Sequence, residues 1–178
     1  MKTIETAIPG VLVLEPKVFS DARGFFLETY NERLFRELGI SERFVQDNQS
    51  HSKRGVLRGM HYQVGQPQGK LIRVLHGEIF DVVVDLRRQS PTFGKWVADS
   101  LSSENKRMLW VPKEFAHGFY ALSDSADVSY KVTEFYAPQS ERTLAWNDAN
   151  VGIDWPFEGE PILSEKDRAG HRLAEYTG

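Results

Sequence analysis

Residues 54–63, RGVLRGMHYQ, put a side chain that can transfer protons close to two fixed positive charges. The unperturbed pKa of a histidine such as His61 lies near ~6.5, so its imidazole can accept a proton at neutral pH. Arg58 carries a planar guanidinium whose paired N–H groups suit phosphate oxygens. The spacing favours a site in which one side chain holds an anion while the other moves a proton.

The elements that must position these side chains are mostly strands. From about residue 56 the hydrophobic residues recur with period two, and turn-like SSEN and SDSA segments separate short runs. A helix is predicted over residues 32–38 with Asn31 as its cap, and a second, short one after Ser164. The pattern favours a mainly β protein, an antiparallel barrel with flanking helices. In IFDVVVDLR, one predicted face carries Phe80, Val82, Val84 and Leu86, and the other carries Asp81 and Asp85.

Alternation also groups polar side chains with core-type residues. In FAHGFYAL, His117 shares a face with Phe115 and Phe119. In VSYKVTEFY, Tyr130 shares a predicted face with Val128, Val132 and Tyr136. Polar tips among such neighbours are typical of the inside of a barrel, and a small barrel can hold one ligand there.

Arg58 and His61 have opposite strand parity, so a regular strand would send them to opposite faces. Both can reach one pocket only if the backbone departs from alternation near Gly59, which a glycine permits. The sequence therefore predicts a bulge or kink at Gly59.

Internal histidines in a β barrel raise the question of a metal. Iron and zinc sites of this kind need several imidazoles and a carboxylate. His61 is followed by Tyr62 and Gln63 instead of completing a His-x-His pair, and His117 is alone on its strand. A metal-free pocket is the prediction.

Composition narrows the class of protein. The chain has 178 residues, no cysteine and a net charge of −3, which suits one soluble domain over residues 1–178 without disulfides. The charge argues against non-specific nucleic-acid binding. No apolar run is long enough to cross a membrane, and MKTIETAIPG is not a signal peptide, so a cytoplasmic location is expected.

Six blocks of the chain resemble the dTDP-4-dehydrorhamnose 3,5-epimerase family, in order and at family-like spacing. They are DARGFFLE (21–28), QDNQSHSKRGVLRGMHYQ (46–63), QGKLIRVLHGEIFDVVVDLR (68–87), VPKEFAHGFYAL (111–122), YKVTEFYAP (130–138) and WPFEGEPILSEKD (155–167). The resemblance implies a jelly-roll barrel of the cupin type that works as a homodimer without metal or cofactor. The implied reaction inverts carbons 3 and 5 of dTDP-4-keto-6-deoxyglucose, on the path to dTDP-L-rhamnose.

The resemblance also implies catalytic roles. His61 matches the base, and Asp167 matches the carboxylate that orients it. Tyr130 matches the acid that returns the proton from the other face, and Lys70 matches the cation that stabilises the enolate oxygen. For Asp167 a second interpretation stays open, because Ser164-x-x-Asp167 is also typical of a helix cap.

A further set of residues is expected to bind the nucleotide and the sugar, and one part of it, the DARGFF region, is expected to reach into the partner subunit's site. Tyr136 matches the aromatic that stacks on thymine. The set comprises Phe19, Arg23, Phe26, Glu28, Gln46, Asn48, Arg58, His117, Tyr136 and Glu141.

Two other functions remain open from the residues. A 3-epimerase would use the same side chains for one proton only. A catalytically silent sugar-nucleotide-binding barrel is expected to have lost the base or the acid, and here both His61 and Tyr130 are present.

Overall fold

The computed structural model describes residues 1–177, and Gly178, the last residue of the predicted domain, lies outside the described residues. Strands dominate this part of the chain. They are β1 (Lys2–Glu5), β2 (Leu12–Glu15), β3 (Val18–Asp21), β4 (Gly24–Leu27), β5 (Gln46–Lys53), β6 (Leu57–Gln63), β7 (Lys70–His76), β8 (Glu78–Asp85), β9 (Trp96–Ser102), β10 (Met108–Val111), β11 (Phe115–Ala121), β12 (Ser125–Val132) and β13 (Glu141–Thr143).

The strands form two large antiparallel sheets and one hairpin. The first sheet has the order β1-β2-β10-β7-β12-β5 and the second the order β13-β6-β11-β8-β9. Strands β3 and β4 pair only with each other. Most neighbours in the two large sheets are distant in sequence, as a jelly roll requires. The fold is an antiparallel jelly-roll barrel of the cupin type, which confirms the predicted fold class.

The core between the two sheets is apolar. Ile72 and Leu109 from the first sheet meet Val83 and Phe115 from the second, and all four are buried. The predicted division of β8 is confirmed. Val83 faces the core between the sheets, whereas Val82, Val84 and Phe80 face the other way. These three belong to a second apolar cluster on the outer face of the second sheet, called the outer cluster below.

Both outer faces are covered by chain outside the sheets. The C-terminal part of the chain packs Trp155 and Phe157 on the outer face of the second sheet. On the first sheet, helix α1 (Glu32–Glu37) presses Phe35 against Leu71 and Trp110. Strands β10 and β11, which are buried along their whole length, can therefore be hydrophobic on both faces without exposing that surface to water.

Helix α1 begins at the predicted residue and ends one residue earlier than predicted, at Glu37, with Leu38 as its C-cap. The side chain of Asn31 accepts hydrogen bonds from the backbone N–H groups of Arg33 and Leu34, and Gly39 follows the helix with φ +84°. Ser164 caps α2 (Glu165–Arg168) in the same way. Two short 3₁₀ helices span Pro138–Ser140 and Leu173–Glu175. Within residues 1–177, none of the helices has both the length and the apolar character needed to cross a bilayer.

Candidate active site

One cavity opens between the two sheets, with a volume of about 370 Å³. The first sheet contributes β5, β7 and β12, and the second contributes β6, β11 and β13. Eight of the predicted site residues line it: Gln46, Asn48, Arg58, His61, Lys70, His117, Tyr130 and Tyr136. Glu141 is a ninth, at the start of β13.

The predicted break in alternation at Gly59 is confirmed. On β6, His61 is paired with His117, whereas Arg58 is paired with Phe119, so three steps on one strand face two on the other. This bulge brings both Arg58 and His61 into the cavity, while Leu57 and Met60 point into the outer cluster. Gly59 has φ +131°, and a Cβ there would lie 2.6 Å from the Cα of Gly118. Only glycine fits this approach of β6 to β11.

His61 and Asp167 form a close pair. The Nε2 atom of His61 lies 2.6 Å from Oδ1 of Asp167. An ionised carboxylate can only accept, so Nε2 carries the proton and Nδ1 keeps a free lone pair. The Oδ2 atom of Asp167 accepts from the Ser164 hydroxyl at 2.7 Å, and Ser164 Oγ in turn accepts from the Asp167 backbone N–H at 3.1 Å. Helix capping and the dyad are therefore compatible, because each uses a different part of Asp167.

Burial of the imidazole favours its neutral form. Burial lowers the pKa of His61, and it outweighs the Asp167 hydrogen bond, which acts in the opposite direction. The cations of Lys166 and Lys70 lower the pKa of His61 further. For Asp167, burial alone would raise the pKa, but hydrogen bonds from His61 and Ser164 bring it below the ordinary value. A neutral imidazole beside a carboxylate is the state in which a histidine can accept a proton.

Tyr130 and His61 stand on opposite walls of the cavity. Tyr130 lies on β12 in the first sheet and His61 on β6 in the second. Burial raises the pKa of the Tyr130 phenol, and the nearby Arg58 cation opposes this effect. The hydroxyl therefore keeps its proton at neutral pH and can donate it.

Lys70 is buried at the start of β7, where its Nζ donates to the carbonyl oxygen of His61 at 3.1 Å. Burial lowers the pKa of Lys70 to about 8, although Glu141 and Asp81 act in the opposite direction. The ammonium group is thus largely charged at neutral pH and is fixed close to the backbone of the proposed base.

Arg58 is held from behind by β5. Its Nε donates to Ser52 Oγ at 2.9 Å and its Nη2 to the carbonyl of His51 at 3.0 Å. The side chain is exposed toward the cavity, so its remaining N–H groups are available to an anion.

The mouth of the cavity is built by hydrogen bonds among polar side chains. The Tyr136 hydroxyl donates to Glu141 at 2.8 Å, and Lys166 Nζ lies 2.6 Å from the same carboxylate. Gln46 accepts from the Tyr136 backbone N–H at 3.1 Å and donates to Asn48 at 2.8 Å. Four of the predicted binding residues are thus linked in one network.

His117 also bonds a carboxylate. Its Nε2 lies 2.6 Å from Oδ1 of Asp81, which is completely buried on β8. The imidazole of His117 is more enclosed than that of His61, with 10% of the side chain exposed against 27%. His117 is consequently fixed in the cavity wall, and His61 is the histidine that a ligand reaches more easily.

Comparison with known proteins identifies the family. The family profile described as dTDP-4-dehydrorhamnose 3,5-epimerase matches residues 5–175. The chain belongs to the dTDP-4-dehydrorhamnose 3,5-epimerase family.

Named relatives agree with this family assignment. The dTDP-4-dehydrorhamnose 3,5-epimerase of Salmonella typhimurium is 58% identical over 97% of this chain and 96% of its own length. The crystal structure of dTDP-6-deoxy-D-glucose-3,5-epimerase from Legionella pneumophila, in complex with dTDP-4-keto-L-rhamnose, is 51% identical with a TM-score of 0.97, covering 99% of this chain and 94% of that one. A less similar structure is that of ChmJ, a 3'-monoepimerase from Streptomyces bikiniensis, in complex with dTDP-quinovose. It is 34% identical with a TM-score of 0.89 and covers 95% of this chain and 86% of that one.

Four predicted binding residues of this family member lie outside the cavity of its own chain. Phe19, Arg23 and Phe26 are exposed on the β3–β4 hairpin, where Arg23 pairs with Asp21. Glu28 is exposed just beyond β4 and accepts a hydrogen bond from Asn31. Their roles remain predictions, since the resemblance assigns the DARGFF region to the site of a partner subunit.

Some cavity residues were missed by sequence reasoning. They are Ser50, Tyr62, Gln63, Gln68, Phe119 and Lys166. Gln63 accepts from the backbone N–H of Ala137, and Gln68 donates to the carbonyl of Glu134, so both hold the loop that carries Tyr136. Lys166 directly precedes Asp167, and a lysine on an isolated helical turn reads as a surface residue until the turn is placed against the barrel.

Across residues 1–177, His, Asp and Glu side chains do not gather in threes in a way that could hold a metal ion. The two histidines of the cavity each bond a separate carboxylate, Asp167 and Asp81.

Proposed function

We propose that this chain inverts carbons 3 and 5 of dTDP-4-keto-6-deoxy-D-glucose and so forms dTDP-4-keto-L-rhamnose. The observation that carries the proposal is the placement of His61 and Tyr130 on opposite walls of one cavity. Inversion at a carbon requires a proton to leave from one face and a different proton to arrive at the other, so a base and an acid must flank the sugar.

The proposed step begins with proton removal. Nδ1 of His61 takes the proton from the carbon next to the ketone, and the electron pair of the broken C–H bond moves to the ketone oxygen. Asp167 stabilises the imidazolium that forms, since it already accepts from Nε2 at 2.6 Å. The Lys70 ammonium stabilises the enolate oxygen.

The second half of the step restores the ketone. The enolate electron pair re-forms a bond between carbon and the proton that Tyr130 donates from the opposite wall. Tyr130 is left as a phenolate and His61 as an imidazolium, so a proton must return to Tyr130 and leave His61 before the next inversion. The same cycle at the other carbon beside the ketone completes the double inversion.

Cations of the cavity support binding of an anionic carrier. The protein has a net charge of −3, yet Arg58, Lys70 and Lys166 all line the cavity. Arg58 and Lys166 would bind the diphosphate, and Tyr136, half-exposed at the mouth, would stack on the thymine. The ligand of the Legionella relative, dTDP-4-keto-L-rhamnose, has both parts.

The assembly and setting follow from the family resemblance as part of this proposal. The protein would act as a cytoplasmic homodimer of one-domain subunits, with residues of the β3–β4 hairpin completing the partner's site. The reaction chemistry requires no redox cofactor, because the carbons beside the ketone start and end at the same oxidation level.

The test is a count of deuterons. The protein is incubated with dTDP-4-keto-6-deoxyglucose in deuterium oxide, and the product is analysed by NMR. Deuterium at both carbon 3 and carbon 5, with inversion at both, is the expected result. Deuterium at carbon 3 alone would show a single inversion, as the name 3'-monoepimerase states for ChmJ. If folded protein incorporated no deuterium into the sugar, the proposed enzymatic activity would be contradicted.

A further inference from the structure

The carboxylate of the dyad sits in the middle of a short segment that is fixed at both ends. We call residues 162–171 the strap. At its start, the Ile162 N–H donates to the carbonyl of Gly55 at 2.8 Å, and Leu57 N–H donates to the carbonyl of Ile162 at 3.0 Å. At its end, the His171 N–H donates to the carbonyl of Thr143 at 2.9 Å. Asp167 therefore reaches His61 from a segment that the barrel holds on two sides.

A side-chain bond reinforces the end of the strap. The hydroxyl of Tyr62 lies 2.6 Å from Nε2 of His171. The other ring nitrogen, Nδ1, lies 3.0 Å from the carbonyl of Arg172, which can only accept. The proton of neutral His171 is thus on Nδ1, Nε2 is an acceptor, and Tyr62 is the donor.

Besides these backbone contacts, strand β6 bonds the strap through the side chains of two successive residues. His61 bonds Asp167, and Tyr62, whose ring belongs to the outer cluster, bonds His171. Because the two residues are neighbours on one paired strand, their relative positions are fixed by the sheet. The strap is thus held against β6 by side chains at two places, Asp167 and His171.

Close packing leaves the strap little room to shift. A Cβ on Gly170 would lie 2.8 Å from both the Cα and the N of Ala145, so the backbone of the strap lies directly against the chain that follows β13. Ala145 N–H also donates to the carbonyl of His171 at 2.8 Å. The strap is therefore packed closely against the barrel at the end that carries His171.

We propose that Tyr62 and His171 are positioning residues, which act through the strap to hold the Asp167 carboxylate at bonding distance from His61. This inference rests on the proposed function of the dyad. The ring of Tyr62 packs against Tyr176 and the outer cluster, a contact that phenylalanine would make equally well. The hydroxyl group is needed for the bond to His171, so its removal isolates the positioning effect from packing.

The first experiment compares Tyr62→Phe with Tyr176→Phe in the full-length protein. The control removes a hydroxyl from the same aromatic cluster without touching His171. The protein is labelled with ¹⁵N-histidine, and the pKa of His61 is followed by NMR titration. The Asp167 hydrogen bond and charge raise that pKa, so Tyr62→Phe should lower it and Tyr176→Phe should not.

Turnover gives the second measurement. A carboxylate displaced by a fraction of an ångström should reduce kcat about tenfold, with dTDP binding unchanged. The acid side of the kcat/KM profile should move to lower pH together with the His61 pKa. Partial unfolding would lower the rate equally at all pH values and would not move the profile.

A second pair of variants covers the case in which Tyr62→Phe does not fold. His171→Ala removes the acceptor and should reproduce the lower His61 pKa, whereas His171→Gln offers Oε1 to Tyr62 and should restore it. Unchanged His61 titration and kcat in Tyr62→Phe and His171→Ala would overturn the proposal. The NMR titration needs no substrate, so it can fail independently of the proposed reaction.

Discussion

At the residue scale, the cavity has two histidines with carboxylate partners, and their surroundings separate their roles. His61 is the more accessible of the two and keeps a free Nδ1 lone pair. Its partner Asp167 has a lowered pKa and so remains an acceptor over the working pH range. These properties fit a base better than a structural histidine.

Two substitutions test the base and the acid separately. His61→Ala should lower kcat about 10²–10⁴-fold and abolish deuterium incorporation, with dTDP affinity retained. Tyr130→Phe should lose inversion to a similar extent. His61 should still exchange the substrate proton with solvent on the face of the sugar that it contacts. NMR of the sugar in deuterium oxide distinguishes exchange with retention from inversion.

Matched controls exist for both variants. His76→Ala alters an exposed histidine at the end of β7, and Tyr120→Phe alters a tyrosine of the outer cluster. Both should turn over at the wild-type rate. Near-native inversion by His61→Ala or Tyr130→Phe would remove the role assigned to that residue.

The pH dependence of kcat/KM follows from two groups with opposite requirements. His61 must be neutral, so activity should fall as the pH drops through its pKa, which burial places below 6.5. Lys70 must be charged, so activity should fall again as the pH rises through about 8. A profile measured from pH 5 to 10 should therefore show a maximum between these limits.

The variant Lys70→Arg tests whether Lys70 causes the fall of kcat/KM at alkaline pH. A guanidinium stays charged over this range, so any activity that the variant retains should lack the fall near pH 8. An alkaline limb that stays in place would assign it to another group.

At the scale of elements, Asp167 combines two tasks that a sequence pattern cannot separate. Its backbone N–H donates to the capping hydroxyl of Ser164, and its carboxylate bonds His61. The bond to Ser164 caps the short helix of the strap, and the bond to His61 forms the dyad.

Asp167→Asn and Ser164→Ala should separate these tasks. Asp167→Asn keeps the cap but removes the charge, so kcat should fall roughly 10³-fold with little loss of stability. Ser164→Ala should lower the free energy of unfolding by about 1 kcal/mol and leave most of the turnover. Chemical denaturation and steady-state kinetics measure both. Equal catalytic losses in the two variants would contradict a separate role for the carboxylate.

The bulge of β6 is the other element on which the site depends. Gly59→Ala should lower the free energy of unfolding by about 2–4 kcal/mol, because a positive φ and a clash with Gly118 both disfavour a Cβ. Gly24→Ala is the matched control for stability. Gly24 has φ +128° but open space around a Cβ, so it reports the backbone cost alone. Equal losses, measured by urea denaturation, would show that the approach to β11 tolerates a methyl group.

At the scale of the whole molecule, the β3–β4 hairpin is the part that a single chain leaves unexplained. Phe19 and Phe26 have 54% and 70% of their surface exposed, although the hairpin follows directly from the first sheet. Exposed aromatic residues on one element are typical of a contact with another molecule. The proposed homodimer gives them a partner.

Mixed dimers test whether Arg23 acts across the interface. Arg23→Ala and His61→Ala should each be nearly inactive as homodimers. When the two chains are co-expressed, a heterodimer contains one site with an intact His61 and the partner's intact Arg23. Random assembly should then restore about a quarter of wild-type activity. No restoration in verified heterodimers would place Arg23 in the site of its own chain.

Much of the fold could be predicted from local pattern. Asn31 and Ser164 cap helices because short polar side chains satisfy free N–H groups, and that signal lies within a few residues. The bulge at Gly59 followed from the parity of Arg58 and His61 once both were assigned to one pocket. The two faces of β8 followed from period-two alternation.

Other features have no local signal. Asp81 read as the polar face of a strand, and only the pairing of β8 with β11 shows that it lies buried beside His117. No local pattern singles out Lys166, and only the path of the strap brings it to Glu141. Phe19, Arg23, Phe26 and Glu28 matched the family's site residues, yet the chain alone leaves them outside the cavity.

The sequence by itself indicated which side chains are proposed to carry the chemistry, where strands alternate, where helices begin and that Gly59 must break the alternation. These depend on residue type and on spacings of a few positions. The tertiary structure decided which groups meet. His61 and Asp167 are separated by 106 positions and lie 2.6 Å apart because β6 and the strap pack together. The opposition of His61 to Tyr130 depends on how two sheets face each other, and such contacts between distant segments are set by packing of the whole barrel rather than by local pattern.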